Sequence, residues 1–376
     1  MPFSSLGLPP DLLKVLSNQN FTEPTPIQQA AIPAILDGKD VLGIAKTGSG
    51  KTASYVLPLL MNLQTAVQLK NRHVNVLVLV PTRELAVQVK DVFQSFSRRL
   101  PVPVKTLAVY GGVSINPQMT ALQGVNVLVA TPGRLLELID SNAVHLNSIE
   151  TLILDEADKM LNLGFKEEMN RIISHLPQKR QNILLSATLS ADLQQIHQVL
   201  LHAPLVIKIE VQEDSLEQIN QLAYIVSAEK KGPFLRYLIN QNEMKQVLIF
   251  ASSVKAADAV VNKLRKNNLE ARAIHSKKSQ GGRNEALTLF KAGKLRILVA
   301  TDLMGRGIDI DQLPFVINYE LPRSPKDYIH RIGRTGRAGN VGDAISLVST
   351  EELHHFEIIQ KKMGKQVKLI DSESIR

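Results

Sequence analysis

The segment Ala45-Lys46-Thr47-Gly48-Ser49-Gly50-Lys51-Thr52 follows an apolar run, Val41 to Ala45, and opens a stretch with helical spacing. This is the arrangement a phosphate group needs. Backbone N–H groups must wrap the anion closely, which calls for Gly48 and Gly50. Lys51 and Thr52, in the first helical turn, reach the β- and γ-phosphates and Mg²⁺. The usual pattern begins with glycine, and Ala45 in its place leaves the loop path open. A second apolar run, Leu152-Ile153-Leu154, ends abruptly in Asp155-Glu156-Ala157-Asp158, three carboxylates within four residues. Asp155 can hold Mg²⁺ there through water, because that ion dehydrates reluctantly and prefers one or two carboxylates plus phosphate oxygens. Glu156 can orient and deprotonate an attacking water. Phosphoryl transfer asks a protein mainly for positioning and charge neutralisation, so this small set of groups suffices.

The second half carries His330-Arg331-Ile332-Gly333-Arg334-Thr335-Gly336-Arg337, three arginines three residues apart, which share one face if the segment is helical. Arg334 and Arg337 have the character of arginine fingers, planar donors suited to charge developing on a γ-phosphate. A generic basic helix for nucleic acid is the plainer alternative on this stretch alone. Across 376 residues, 44 Lys and Arg against 35 Asp and Glu leave a formal charge of +9, which favours a polyanion as partner. Zero cysteines exclude disulfides and thiolate metal sites, and no HExxH-type spacing offers a zinc site.

These groups need a scaffold, and the apolar pattern supplies one. Short β-branched runs recur at Val41 to Ala45, Asn75 to Val80, Thr106 to Tyr110, Val125 to Ala130, Thr151 to Leu154, Ile183 to Leu185 and Leu205 to Ile209, separated by segments with helical spacing. Strands alternating with helices predict right-handed crossovers, an α/β fold and a parallel sheet with ligands at the strand carboxyl ends. The pattern breaks over 210–217, a polar acidic stretch read as a linker. A second series follows: Leu222 to Val226, Val247 to Phe250, Ala271 to Ile274, Ile297 to Ala300, Phe315 to Tyr319 and Ala344 to Val348. Two tandem parallel-sheet domains are therefore expected, 1–209 and 218–376, of which only the first has a phosphate loop. After Ser349 the pattern offers only a helix-like stretch, Glu351 to Met363, and a brief tail.

In their order from Phe3 to about Ser349, these motifs resemble the DEAD-box RNA helicases, and the compact ending resembles bacterial members of the RhlE-like type. The resemblance implies two RecA-like domains, with residues 3–28 as an adenine-reading segment in which Phe21 stacks and Gln28 hydrogen-bonds the base edge. It assigns Thr47, Gly48, Ser49, Gly50, Lys51 and Thr52 to ATP, Thr52 and Asp155 to Mg²⁺, and Gly307 and Asp309 to the nucleotide, Asp309 at the ribose. It implies catalytic roles for Lys51, Asp155, Glu156, Arg334 and Arg337. Pro81, Thr82, Arg83, Gly111, Gly112, Thr131, Pro132, Gly133 and Arg134 resemble the first domain's RNA contacts. Ser252, Gln280, Arg283 and Thr301 resemble those of the second. Ser186 and Thr188, bonding Asp158, together with His330 and Arg331, correspond to residues that couple nucleotide state to strand separation.

The implied activity is an RNA-dependent ATPase that locally opens short RNA duplexes or remodels RNA–protein complexes. Lys51, Thr52 and Gln28 hold ATP from one domain, and Asp309, Arg334 and Arg337 act from the other. RNA is contacted at phosphates and 2′-hydroxyls, so recognition is largely independent of sequence. The alternatives are an ATP-regulated RNA clamp or chaperone without productive unwinding, and a DNA translocase with similar domains. Asp-Glu-Ala-Asp with the Gln28 segment argues against the second. No apolar run approaches the roughly 20 residues that span a bilayer, and no basic start followed by an apolar block marks a signal peptide. A cytoplasmic protein is expected, with RNA-processing or ribosome-assembly proteins as possible partners and no required oligomer.

Overall fold

The computed structural model describes residues 2–19, 21–46, 48–66, 71–189, 191–209, 219–302, 313–336 and 341–374. The chain divides into two compact units, Met1–Val211 and Gln212–Arg376. The acidic stretch 210–217 lies outside the described residues.

In the first unit the apolar runs form strands β1 (Val41–Ile44), β2 (Val76–Leu79), β3 (Thr106–Val109), β4 (Val127–Ala130), β5 (Thr151–Leu154), β6 (Gln181–Ser186) and β7 (Leu205–Lys208). They make one sheet in the order β3-β4-β2-β5-β6-β1-β7, with every pairing parallel. Both faces are covered, which is why β2, β4 and β5 are apolar at nearly every position rather than alternating. Val76 and Val78 pack with Tyr55, Leu59 and Phe93 from helices Lys51–Thr65 and Arg83–Ser97. Their neighbours Leu77 and Leu79 point the other way, into a core with Leu135, Leu138 and Ile172 from helices Pro132–Asp140 and Lys166–Ser174.

The second unit repeats the plan with β8 (Ile219–Ile225), β9 (Val247–Ala251), β10 (Ala271–Ile274), β11 (Ile297–Thr301), β12 (Phe315–Asn318), β13 (Gly342–Val348) and β14 (Lys368–Asp371), in the order β10-β11-β9-β12-β13-β8-β14. β14 is a strand where the sequence pattern offers only a tail. It is an edge strand, paired in parallel with β8 alone (Lys368 opposite Leu222), and its four residues stay exposed or half-exposed. An edge strand covered so little carries no apolar run for the pattern to reveal. Among the described residues no helix is long and apolar enough to cross a membrane.

Candidate functional site

All of the first unit's motif residues beyond the N-terminal segment follow the carboxyl ends of strands, and the strand order sorts them into two neighbouring groups. β1, β6 and β5 deliver the glycine loop, Ser186-Ala187-Thr188 and the carboxylates, while β2, β4 and β3 deliver Pro81 to Arg83, Thr131 to Arg134 and Gly111-Gly112. Register fixes the first group tightly. Ile44 lies opposite Ser186, and the Ala45 N–H donates to the Ser186 carbonyl at 3.0 Å.

The loop turns into helix Lys51–Thr65 through Gly48 and Gly50, with φ of +82° and +90°. Glycine is the residue that adopts this conformation without steric cost. A Cβ on Gly50 would also lie 2.5 Å from Gln28 Nε2. Gln28 itself is buried, accepts from the Thr25 N–H at 2.9 Å and donates to the Gly50 carbonyl at 3.2 Å, so the N-terminal segment is bonded directly to the loop. Phe21 is 36% exposed, with its ring edge-on to Phe96 at 5.5 Å. The Lys51 ammonium, 7% exposed, donates to the Ala45 carbonyl at 2.6 Å across the inside of the loop.

Asp155 and Glu156 are both buried at the end of β5. Burial pushes the Asp155 carboxyl up to about 6, and the Lys51 charge opposes that rise. Burial likewise lowers the Lys51 ammonium, against the attraction of Asp155 and Glu156. Glu156 has a left-handed backbone, φ +54°, as it caps helix Ala157–Asn162, a conformation rare outside glycine and asparagine. One of its oxygens, Oε1, accepts from Lys159 Nζ at 2.6 Å; the other, Oε2, is buried with no hydrogen-bond partner among the described residues. Asp158 accepts from the Lys159 N–H at 3.0 Å and from Thr188 Oγ1 at 2.8 Å, while Ser186 Oγ donates to the Thr188 carbonyl at 2.7 Å. Three buried carboxylates thus face two buried ammonium groups, Lys51 and Lys159, a balance one positive charge short. With the Thr52 hydroxyl at the start of the helix, an all-oxygen donor set of this charge fits Mg²⁺ rather than a softer metal.

In the neighbouring group, Thr82 caps helix Arg83–Ser97 by accepting from the Leu85 N–H at 3.3 Å. The Arg83 guanidinium lies on Gly112 (φ +75°), where a Cβ would come within 2.2 Å of Nη1. Arg134 is buried, 5% exposed. It donates to Glu137 Oε2 and to the Val113 carbonyl, both at 2.8 Å, and so ties the loop bearing Gly111-Gly112 to helix Pro132–Asp140. Pro132 and Gly133 occupy the first turn of that helix, with Thr131 preceding it, and nothing lies within 4 Å of where a Gly111 or Gly133 side chain would be.

In the second unit the arginine segment is helical only through Ile332. Helix Pro325–Ile332 ends at Gly333, so the condition for one shared helical face is not met and Arg331 and Arg334 do not share one. Arg331, 2% exposed, is a hub. It donates to Asp302 through Nε (2.5 Å) and Nη2 (2.8 Å), and through Nη1 to Asn318 Oδ1 (3.0 Å) and the Glu320 carbonyl (2.6 Å); its guanidinium lies 5.0 Å from the Phe250 ring centroid. Glu320 in turn accepts from both the N–H (2.7 Å) and the hydroxyl (2.5 Å) of Ser252. Arg334 is buried, and its N–H donates to the Arg331 carbonyl at 3.2 Å. His330 precedes the hub, half-buried. Arg283, also buried, donates to Gln280 at 2.5 Å on helix Gln280–Lys291, and Thr301 ends β11. Thr47, Gly307, Asp309 and Arg337 lie outside the described residues.

The DEAD/DEAH box helicase family pattern matches residues 25–196, and the helicase conserved C-terminal domain pattern matches 230–339. The chain is similar to the DEAD-box ATP-dependent RNA helicase CshA of Streptococcus pneumoniae, 40% identical over 376 residues, 100% of this chain and 71% of that protein. It belongs to the DEAD-box ATP-dependent RNA helicase family. Another relative in this family, RhpA of Helicobacter pylori, is 36% identical over 375 residues, 99% of this chain and 75% of its own length. Among solved structures, S. cerevisiae Dbp5 bound to RNA and ADP BeF3 is similar with a TM-score of 0.85 and 29% identity, covering 98% of this chain and 95% of that one. Its likeness extends the tandem RecA-like description to both sheets of this DEAD-box protein.

Among the residues in contact with the site that were not reached from sequence are Tyr55, Lys159 and Glu320. Tyr55 and Lys159 carried a usable signal, since positions three and four apart share a helix face, and Tyr55 stands at that spacing from Thr52 and Lys51 as Lys159 does from Glu156. Glu320 carried none, because it meets Ser252 only through the pairing of β9 with β12.

Proposed function

We propose that this protein is an RNA-dependent ATPase that uses ATP hydrolysis to open short RNA duplexes or to remodel RNA–protein complexes. The observation that carries the reading is the buried cluster at the carboxyl ends of β1 and β5. There a glycine loop and Lys51 stand with Asp155 and with Glu156, whose Oε2 is buried with no partner among the described residues. The loop N–H groups and Lys51 bind and orient the triphosphate, and Gln28 and Phe21 receive the adenine. Thr52 and Asp155 would hold Mg²⁺, which supplies charge neutralisation to the phosphates when bound. Glu156 Oε2 is the free acceptor for a proton from the attacking water, while Lys159 keeps the other oxygen in place. Arg334 and Arg337 supply the positive charge that turnover requires.

RNA is bound through its backbone by Arg83, Gly112 and the first turn of helix Pro132–Asp140, and by Ser252, Gln280, Arg283 and Thr301. The Thr188–Asp158 bond links the catalytic strand end to the segment after β6, and we assign to it the coupling of nucleotide state to RNA grip. We place the protein in the cytoplasm, working with RNA-processing or ribosome-assembly proteins.

The test is ATP turnover by the purified protein with and without single-stranded RNA, paired with unwinding of a short duplex. RNA raises turnover several-fold. Glu156→Gln keeps RNA and nucleotide bound but lowers turnover by about 10²-fold or more, the scale of a lost general base. Turnover indifferent to RNA, or Glu156→Gln hydrolysing ATP normally, overturns the proposal.

A further inference from the structure

Tyr55 is fully buried on helix Lys51–Thr65, one turn beyond Lys51 and Thr52. Its ring is anchored against Phe93, centroids 6.3 Å apart, in the core under the sheet. Its hydroxyl is not buried for packing alone. It donates to Asp155 Oδ2 at 3.0 Å, one helical turn from Thr52. Two groups that come from different elements, a helix and a strand end a hundred residues away, thus meet in one hydrogen bond.

A buried phenol satisfied elsewhere, or a phenylalanine, would fill the same volume. A hydroxyl aimed at this carboxylate does something a ring cannot: it fixes the rotation of the Asp155 carboxyl by occupying Oδ2. Burial, with the Asp155 charge beside it, holds the phenol well above its ordinary value, so it stays a donor throughout the physiological range. The cost of leaving a buried donor or acceptor unmatched makes this arrangement stiff.

We propose that Tyr55 is a positioning residue for the metal: through its hydroxyl it sets Asp155, opposite the helix turn that carries Thr52, in the arrangement that receives Mg²⁺ with the nucleotide. This rests on the assignment of Thr52 and Asp155 to Mg²⁺ made above. Tyr55 touches neither nucleotide nor reacting atoms, so its effect appears in the metal requirement rather than in nucleotide affinity as such. Pre-arranged ligands lose less freedom on binding, and that advantage is what the hydroxyl contributes.

The experiment uses the full chain, a fluorescent ATP analogue and the variants Tyr55→Phe and Asp155→Asn. Nucleotide affinity is measured in EDTA and then across a Mg²⁺ titration, with thermal unfolding to show that the variants fold. In EDTA, Tyr55→Phe binds the analogue as the parent protein does. The Mg²⁺ concentration that half-restores tight binding rises about fivefold, the scale of one hydrogen bond. ATP turnover by the variant recovers as Mg²⁺ is raised. If Tyr55→Phe keeps the parent Mg²⁺ requirement while Asp155→Asn shifts it, the inference about Tyr55 falls and the metal assignment stands. An unmoved requirement in both variants brings down the metal assignment and the inference with it. Equal weakening of the analogue in EDTA and in Mg²⁺ makes Tyr55 a support for the loop and overturns the inference.

Discussion

Keeping a carboxylate charged away from water is costly, and Asp155 meets that cost at the centre of the site. Its carboxyl goes from 3.8 in the unfolded chain to about 6 in the folded one, so the folded protein holds the proton more tightly. For an acid shifted upward, the stabilising contribution is complete below the unfolded value of 3.8 and is lost as pH rises through about 6. The loss amounts to something on the order of 3 kcal/mol for this group. Asp155→Asn keeps the shape and can still accept from Tyr55, but it has no charge to bury. Without nucleotide and in EDTA, this variant therefore unfolds at a higher temperature than the parent protein near neutral pH, and the gap narrows toward pH 4. A variant less stable than the parent at neutral pH would mean that Lys51 more than repays the buried charge. Residue types and spacing made Lys51, Asp155 and Glu156 legible in the sequence. The partners Tyr55 and Lys159 left only their helix-face spacing from Lys51, Thr52 and Glu156 to be read, because the fold sets which face meets the strand end.

At the scale of elements, the second unit's arginine segment is held by contacts that only a folded sheet supplies. Arg331 gathers the carboxyl ends of three strands, through Asp302 after β11, Asn318 and Glu320 at the end of β12, and Phe250 in β9. Lysine has one nitrogen where arginine has a planar fork, so Arg331→Lys leaves part of this set unmatched. The variant should lose about 3 kcal/mol, the range for breaking a buried, hydrogen-bonded pair, measured by chemical unfolding of the full chain. It should also weaken RNA binding, since Ser252 depends on Glu320 for both of its bonds. An unchanged unfolding midpoint would reduce Arg331 to a bystander. The strands on either side were legible because each is buried on both faces and so written in unbroken apolar letters. β14 was not, being an edge strand with one partner, and neither was the end of helix Pro325–Ile332. Regular arginine spacing suggests a helix that continues, but Gly333 ends it and Arg334 lies beyond.

For the whole molecule, the excess of nine positive charges favours a polyanion, and the contacts proposed above are to its backbone. In the proposed reading, Arg83, Arg283, Thr301 and open glycines such as Gly133 offer guanidinium, hydroxyl and N–H donors to phosphates and 2′-hydroxyls, contacts that carry no base identity. Affinity for single-stranded RNA should then come mostly from released counterions. With about five phosphates neutralised, the logarithmic slope against salt is roughly −3.5, so doubling the salt weakens binding about tenfold. Oligomers of different sequence but equal length should fall on one line. Nucleotide binding, assigned to the buried groups Lys51 and Asp155, should respond less to salt, since buried charges are screened less than exposed ones. The two ligands can be separated on this basis: if ATP tightens RNA binding, RNA must tighten ATP by the same factor at every salt concentration, because linkage between two sites is reciprocal. Unequal factors at one ionic strength would show that binding was not read at equilibrium, as when ATP is hydrolysed during the titration, so a non-hydrolysable analogue is used. Two parallel lines, offset between two RNA sequences of equal length, would show that some base is being read after all, and the assignment of Arg83 and Arg283 to the backbone would have to be given up.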